Sequence, residues 1–215
     1  IVWSACHKAP ALYIGLGMAG YFDIDDVVTL RKLYSPFQGH PHWLKLDGIE
    51  ASTGSLGQGL SIANGIAMAA KRDHKTFRVY CLMGDGESHE GQVWEAAMTA
   101  AHHGLDNVCG IVDRNMMMGD GSTEEIVALT PLVDKWRTFN WHVIEIDGHN
   151  MHQILAAFDK AKKFKGKPTL IIADTVKGDG AITHVLAEGA RLPAVGEHGA
   201  AQVQIKVIYD SPPGT

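Results

Sequence analysis

Several features that mark large functional classes are missing from this sequence. No apolar run approaches the roughly 20 residues that span a bilayer, so a membrane protein is not expected. Basic residues are not in excess, because 19 Lys and Arg stand against 24 Asp and Glu and give a net charge of -5. A phosphate backbone requires a basic protein face, so nucleic acid is not expected as the main partner.

Motifs for several kinds of chemistry are also absent. There is no Cys-x-x-Cys pair, and the 12 histidines lack further ligands at zinc spacing, so a zinc site is not expected. Serine hydrolases, P-loop NTPases and dinucleotide-binding oxidoreductases lack support, because no nucleophile elbow, no Walker motif and no Gly-x-Gly-x-x-Gly after a predicted strand occurs. Three unclustered cysteines predict a reducing, cytoplasmic location rather than a disulfide scaffold.

What the sequence does contain is a regular alternation of strand and helix patterns. Apolar residues recur at helical spacing over 58–71, 90–103 and 151–163, and short β-branched or apolar runs occupy 76–83, 107–113, 141–146 and 169–173. This order predicts an α/β fold with a parallel sheet and helices on both faces. We expect one domain over 1–180 and a divergent, partly irregular tail over 181–215. The chain starts at Ile1 without an initiator methionine, so upstream residues are expected to be missing.

Glycines and acids cluster where a parallel sheet would bind a ligand. Gly84-Asp85-Gly86 follows the predicted strand 76–83, and Asn115 follows the next strand. Ligands bind beyond the carboxyl ends of such strands, and glycines let backbone N–H groups approach a phosphate. The Asp85 carboxylate would repel a diphosphate unless a cation lay between them, which suggests Mg²⁺. Either element alone is more often an ordinary turn or loop, but their combination favours a metal–phosphate site.

The same residues resemble the signature of thiamine diphosphate enzymes, which begins with Gly-Asp-Gly and ends about thirty residues later at Asn. The likeness extends over about residues 1–180 and is closest to the short N-terminal subunits of split transketolases. The further segments that are similar to this family are Ser4 to Tyr13, Gly39-His40-Pro41, Gly48 to Gly59, Asp134-Lys135-Trp136, Asp147-Gly148-His149 and Thr175-Val176-Lys177-Gly178.

The resemblance implies a role for each matching position. Asp85, Asn115 and the backbone carbonyl of Met117 would bind Mg²⁺. Gly86 would contact the diphosphate, and Gly54 and Leu56 would lie beside the thiamine rings. The remaining positions are His7 and His40, which match histidines that line the cofactor and sugar site, and Glu90, which matches an acid that couples paired active sites at a subunit interface.

The implied activity is transfer of a two-carbon ketol unit from a ketose to an aldose, with thiamine diphosphate and Mg²⁺ as cofactors. The family uses a glutamate on a pyrimidine-binding domain, for which 215 residues leave no room. We therefore expect a C-terminal partner subunit that carries this domain, an assembly that is a dimer of heterodimers, and no activity of the chain alone.

Several alternatives remain open from the sequence. Within enzymes, the chain could be the α-type subunit of a 2-oxoacid dehydrogenase or a relative of deoxyxylulose phosphate synthase. In another class, it could be a non-catalytic homologue that serves as an interaction module. A phosphorylated ketose is the default donor, but a modified or unphosphorylated sugar fits as well. The sequence leaves open whether His149 and His198 contact a ligand or serve packing.

Overall fold

A five-stranded parallel sheet forms the centre of the protein. The structure, a computed structural model, describes residues 1–177. The strands of this sheet are β1 (Val2–Trp3), β2 (Val79–Gly84), β3 (Val108–Arg114), β6 (His142–Asp147) and β7 (Thr169–Asp174). They lie in the order β1-β2-β3-β7-β6, and every neighbouring pair runs parallel. A separate antiparallel hairpin joins β4 (Met117–Met118) to β5 (Gly121–Ser122).

The helices connect these strands. They are α1 (Ala9–Met18), α2 (Gln58–Arg72), α3 (Gly91–His102), α4 (Thr123–Val127), α5 (Leu132–Thr138) and α6 (Met151–Lys163). Short 3₁₀ turns lie at Cys6–Lys8, Ile24–Thr29 and Gly86–His89. Within residues 1–177, no helix is long and apolar enough to cross a membrane.

Helices cover both faces of the sheet. One face packs against α2, α3 and α5, and its core includes Cys81, Met83, Val112, Leu170 and Ile172. The alternate strand residues point to the other face, where Leu82 and Trp3 pack with α1, and Cys109 and Ile171 pack with α6. Successive side chains of a strand point in opposite directions. A sheet that is buried on both faces therefore requires strands that are apolar at nearly every position.

The predicted α/β class with helices on both faces is confirmed. The observed elements lie within a few residues of the predicted ones, and the largest shift is the start of β2 at Val79. The run Gly15-Leu16-Gly17-Met18-Ala19-Gly20 has the spacing of a dinucleotide motif, but its first four residues lie inside α1. It therefore does not form a strand-to-helix phosphate loop. The three cysteines are buried and free, while the cytoplasmic location stays a prediction.

Gly59 lets the first turn of α2 pack tightly on the chain after β1. A Cβ at this position would lie only 2.9 Å from Ser4 Cα, which is backbone and cannot move aside. We expect Gly59→Ala to lower the free energy of unfolding by about 1–3 kcal/mol, measured by urea unfolding. Gly65, in the same helix, has nothing within 4 Å of the corresponding Cβ position. Gly65→Ala is therefore the matched control, expected to stabilise by about 0.4–1 kcal/mol; equal effects would contradict this packing argument.

Candidate active site

The candidate site lies at the carboxyl edge of the central strands. β2 ends at Gly84, which pairs in register with Asp113 of β3. The next residue, Asp85, donates its backbone N–H to the carbonyl of Asp113 at 3.2 Å, and Asn115 follows the end of β3. The fold thus brings the two sequence-predicted polar residues to neighbouring strand ends.

Asp85 is a buried carboxylate that is held by backbone groups. It is 2% exposed. Its Oδ1 accepts from Gly86 N–H at 2.8 Å, and its Oδ2 accepts from Met116 N–H at 2.6 Å. Burial raises the pKa of Asp85, whereas the two backbone hydrogen bonds lower it; Asp113 raises it further, and Lys8 lowers it. A cation at this edge would offset the cost of burying the charge.

Asn115 and Met117 place further oxygen atoms at the same sheet edge as Asp85. Asn115 Oδ1 accepts from Met117 N–H at 3.0 Å, so the chain turns sharply at Met116, whose φ is 60°. The Met117 carbonyl oxygen lies beside Gly86, 3.8 Å from the position of a Cβ there, and that Cβ would also approach Met118 Cβ at 3.1 Å. Gly86 therefore lets the β4–β5 hairpin lie close to the Gly-Asp-Gly turn.

This donor set fits Mg²⁺ in chemistry and position. Carboxylate, amide and carbonyl oxygens are hard ligands, and Mg²⁺ keeps only a few protein ligands while substrate phosphates and water complete its octahedron. The contacts above hold Asp85, Asn115 and Met117 at the same sheet edge. In the described part of the chain, no group of three or more His, Cys, Asp or Glu side chains could hold a metal ion.

His7, His40 and Gly54 form a second group at the same edge. The His7 ring reaches toward Gly84, with Cε1 3.8 Å from the position of a Cβ there. The His40 ring packs against Gly54, with Cδ2 3.3 Å from the corresponding Cβ position. Cys6 Sγ donates to the carbonyl of Gly54 at 3.4 Å, which ties this loop to the turn that carries His7. Both histidines are exposed as residues, although the His7 ring, which reaches toward Gly84, is partly desolvated.

Leu56 and Glu90 lie on adjoining loops. Leu56 is 41% exposed, and Glu90 is exposed at the start of α3, where its carboxylate does not cap the helix. Gly57, next to Leu56, has φ +82° and packs so closely that a Cβ there would lie 2.7 Å from Glu90 Cβ. The thiamine-ring role of Leu56 and the interface role of Glu90 stay predictions.

Glu87 is a site residue that the sequence analysis missed. Its carboxylate is 2% exposed. Oε1 accepts from the Ser4 hydroxyl and from Gly57 N–H at 2.8 Å, and Oε2 accepts from Gly84 N–H at 3.2 Å. One buried side chain therefore links the turn after β1, the loop before α2 and the end of β2. Its place directly after Gly-Asp-Gly, in a strand-to-helix turn, was the only available sequence signal.

Lys8 and Asp113 form a buried ion pair that was also missed. The Lys8 side chain is 3% exposed, and its ammonium contacts Asp113 Oδ2. Asp113 Oδ1 accepts from the Thr175 hydroxyl, and Asn115 Nδ2 donates to Asp113 Oδ2 at 3.3 Å. The pair therefore contacts one of the predicted metal ligands directly.

Of the remaining histidine candidates, His149 is held by loop contacts. His149 Nε2 accepts from Val176 N–H at 2.9 Å, and its own backbone N–H donates to Asp147 Oδ1 at 2.9 Å. Through these bonds, His149 links the loop after β6 to the chain after β7. His198 and the predicted tail 181–215 lie outside the described residues.

The His7 ring is expected to be neutral at pH 7. Desolvation is the largest cause of its lowered pKa, and the positive charge of Lys8 is the second. Asp113 partly opposes them by raising the pKa, and Lys177 and His40 lower it further. In an NMR pH titration, we expect the His7 midpoint to lie below the ordinary value of about 6.5. Because the folded pKa is lowered, the stability linked to His7 is present above pH 6.5 and is lost as the pH falls through the folded pKa.

His7→Gln assigns the titrating signal in that experiment, because only the His7 resonance should vanish. A midpoint at or above 6.5 would contradict the electrostatic environment described for this ring.

Comparison with known proteins identifies the family. A family profile described as "Transketolase, thiamine diphosphate binding domain" matches residues 1–213. The chain belongs to this family. The transketolase resemblance predicted from the motifs is thus confirmed, and the profile describes a thiamine diphosphate binding domain.

Two curated relatives of the transketolase family are subunits by name. The chain is 47% identical over 181 residues to the 6-deoxy-6-sulfo-D-fructose transketolase subunit SqwG of Clostridium sp. (strain MSTE9), covering 84% of the chain and 66% of the relative. It is 41% identical over 179 residues to an apulose-4-phosphate transketolase subunit of Phocaeicola vulgatus, covering 83% and 63%. The chain thus spans slightly less than two thirds of the length of these relatives.

Solved transketolases share the fold. The crystal structure of transketolase from Campylobacter jejuni superposes with a TM-score of 0.76 at 36% identity, covering 81% of this chain and 28% of that one. The transketolase of Leishmania mexicana gives a TM-score of 0.75 at 32% identity. In both, the match is confined to about a quarter of the larger chain, 28% in each case.

Proposed function

We propose that this chain binds the diphosphate end of thiamine diphosphate through Mg²⁺ and serves as the N-terminal subunit of a transketolase that transfers a two-carbon ketol unit from a ketose to an aldose. The observation that carries the proposal is the location of the buried Asp85 carboxylate, the Asn115 amide and the Met117 carbonyl at one sheet edge, where Met116 N–H donates to Asp85 and the Met117 carbonyl lies beside Gly86. Family membership supports the same assignment.

The chain's own residues have separable tasks in this proposal. Asp85, Asn115 and the Met117 carbonyl would hold Mg²⁺, and the glycine at position 86 lets the hairpin that carries Met117 lie close to the Gly-Asp-Gly turn. The lowered pKa of His7 keeps its ring neutral at pH 7, so one ring nitrogen can accept a hydrogen bond. Thiamine diphosphate would supply the carbanion-stabilising chemistry of the transfer.

We propose a separate partner subunit that carries the pyrimidine-binding domain, in a dimer of heterodimers. Two relatives at 47% and 41% identity are named as subunits, which supports this arrangement. The exposed Glu90 at the start of α3 and the half-exposed Leu56 are available for such a contact.

We further propose that the donor is a ketose with an anionic terminal group. The names of the two relatives specify a sulfonated and a phosphorylated sugar. At the edge itself, exposed Lys177 lies close enough to influence the His7 ring electrostatically, and a cation there would attract an anionic substrate.

The direct test is ketol transfer by the chain together with its partner. We expect turnover only when both subunits are present with thiamine diphosphate and Mg²⁺, and a higher kcat/KM for sulfonated or phosphorylated ketoses than for the matching uncharged ketoses. Full turnover by this chain alone would overturn the two-subunit proposal. A preference for uncharged ketoses would overturn the donor class and leave the reaction standing.

The alternative enzyme classes are separable by the same assay. Family membership and the two transketolase subunits favour transketolase over the 2-oxoacid dehydrogenase and deoxyxylulose phosphate synthase types. Turnover of a 2-oxoacid without ketol transfer would reverse this order. If neither cofactor binding nor turnover occurs, the interaction-module alternative gains support.

A further inference from the structure

Lys8 places a buried positive charge beside the candidate metal site. Its side chain is 3% exposed and pairs with Asp113, 105 positions along the chain. Lysine is almost never fully buried unless it is paired, because removing the ammonium from water is costly. The position of Lys8, in the 3₁₀ turn just before α1, therefore needs an explanation beyond packing.

Asp113 uses this pairing to fix the orientation of a metal ligand. Three side-chain donors meet its carboxylate: the Lys8 ammonium, the Thr175 hydroxyl and Asn115 Nδ2. Because Asn115 Nδ2 points at Asp113, its Oδ1 must point the other way, toward Met117 N–H. The carboxylate thus determines which end of the Asn115 amide faces the cation.

This arrangement creates a charge problem that Lys8 resolves. Asp85 and Asp113 sit at adjoining strand ends, joined by the hydrogen bond from Asp85 N–H to the Asp113 carbonyl at 3.2 Å. Without Lys8, two carboxylates would face the edge where a diphosphate has to bind. The second would repel the diphosphate and would offer the cation a competing ligand.

We propose that Lys8 is a positioning residue of the metal–diphosphate site: it neutralises Asp113, so that Asp113 can orient Asn115 without competing for the cation or repelling the diphosphate. This inference rests on the proposed function, because it takes the cofactor site from there. It assigns to Lys8 a role through Asp113, with no contact to substrate.

The test uses Lys8→Met, which keeps the length of the side chain and removes its charge. The full chain, with any subunit that co-purifies with it, is titrated with Mn²⁺ by electron paramagnetic resonance and with thiamine diphosphate by tryptophan fluorescence at saturating Mg²⁺. We expect the affinity for thiamine diphosphate to fall by about tenfold or more, as the loss of one buried unit charge beside the site implies. The affinity for Mn²⁺ alone should stay equal or rise, since Asp113 becomes free.

The charge-matched rescue is Lys8→Met/Asp113→Asn, which removes both charges together. We expect it to restore the affinity for thiamine diphosphate to within about threefold of the wild type, as expected for coupled charges in a double-mutant cycle. Thr175→Val keeps both charges and removes one hydrogen bond to Asp113, so it should also stay within about threefold.

Each outcome of these titrations either supports or overturns a stated proposal. Wild-type affinity in Lys8→Met, no rescue in the double variant, or a tenfold loss in Thr175→Val would overturn the role of Lys8. If Lys8→Met does not fold, folding and cofactor binding by the double variant support it, and failure of the double variant to fold overturns it. A wild-type protein that binds neither Mn²⁺ nor thiamine diphosphate contradicts the proposed function instead.

Discussion

Replacing Asp85 by alanine is expected to weaken Mg²⁺-dependent binding of thiamine diphosphate by about 100-fold or more. Loss of residues that merely support a metal ligand costs about 10–100-fold, so loss of the one charged ligand should reach at least the upper end of that range. The carboxylate also anchors Gly86 N–H and Met116 N–H, which shape the metal edge. Isothermal titration calorimetry of thiamine diphosphate at saturating Mg²⁺ measures this loss.

Two further variants make that result specific. Asp85→Asn keeps the shape of the side chain and removes its charge, so it should show a similar loss if charge on the ligand matters most. Asp159→Asn changes an exposed acid of α6 that belongs to none of the site contacts described above, and should leave the affinity unchanged. Unchanged affinity in both Asp85 variants would contradict the metal assignment.

Replacing Glu87 by alanine should give the largest loss of stability among the site residues. It would leave the Ser4 hydroxyl and the N–H groups of Gly57 and Gly84 without their acceptor. A buried donor that loses its partner costs about 1–3 kcal/mol, and three such losses with partial relaxation suggest a fall of about 3–5 kcal/mol in the free energy of unfolding. Urea unfolding monitored by circular dichroism measures it.

The control for this prediction is Glu95→Ala, because Glu95 is an exposed glutamate of nearby α3. It should change the free energy of unfolding by no more than about 0.5 kcal/mol. If Glu87→Ala unfolds at the same urea concentration as Glu95→Ala, then the buried carboxylate does not hold these three segments together.

The repeating core elements could be predicted from sequence because their patterns are local. α2, α3, α6 and four of the five sheet strands follow from apolar spacing, which depends only on nearby residues. β1 spans two residues, too few for a pattern. α1 could not be predicted from apolar spacing, because its residues are apolar on all sides and include two glycines, so that it shows no amphipathic period.

The site residues also divide into those that local sequence could predict and those that it could not. Asp85 and Asn115 could be placed together because each directly follows a strand, and parallel strands end at one edge. The roles of Glu87 and Lys8 could not be predicted, since their partners are 83 and 105 positions away for Ser4–Glu87 and Lys8–Asp113. Burial of a charged side chain depends on the assembled fold, which one sequence does not reveal residue by residue.

The measurement that most directly tests the central claim is anomalous diffraction from Mn²⁺ in crystals of the protein, with its partner, grown in thiamine diphosphate. We expect one peak per chain at the carboxyl edge of β2 and β3, about 2.0–2.2 Å from an Asp85 carboxylate oxygen, Asn115 Oδ1 and the Met117 carbonyl oxygen. A cofactor that binds with its diphosphate elsewhere, or a Mn²⁺ peak that does not touch Asp85, would contradict the claim that this edge is the metal–diphosphate site.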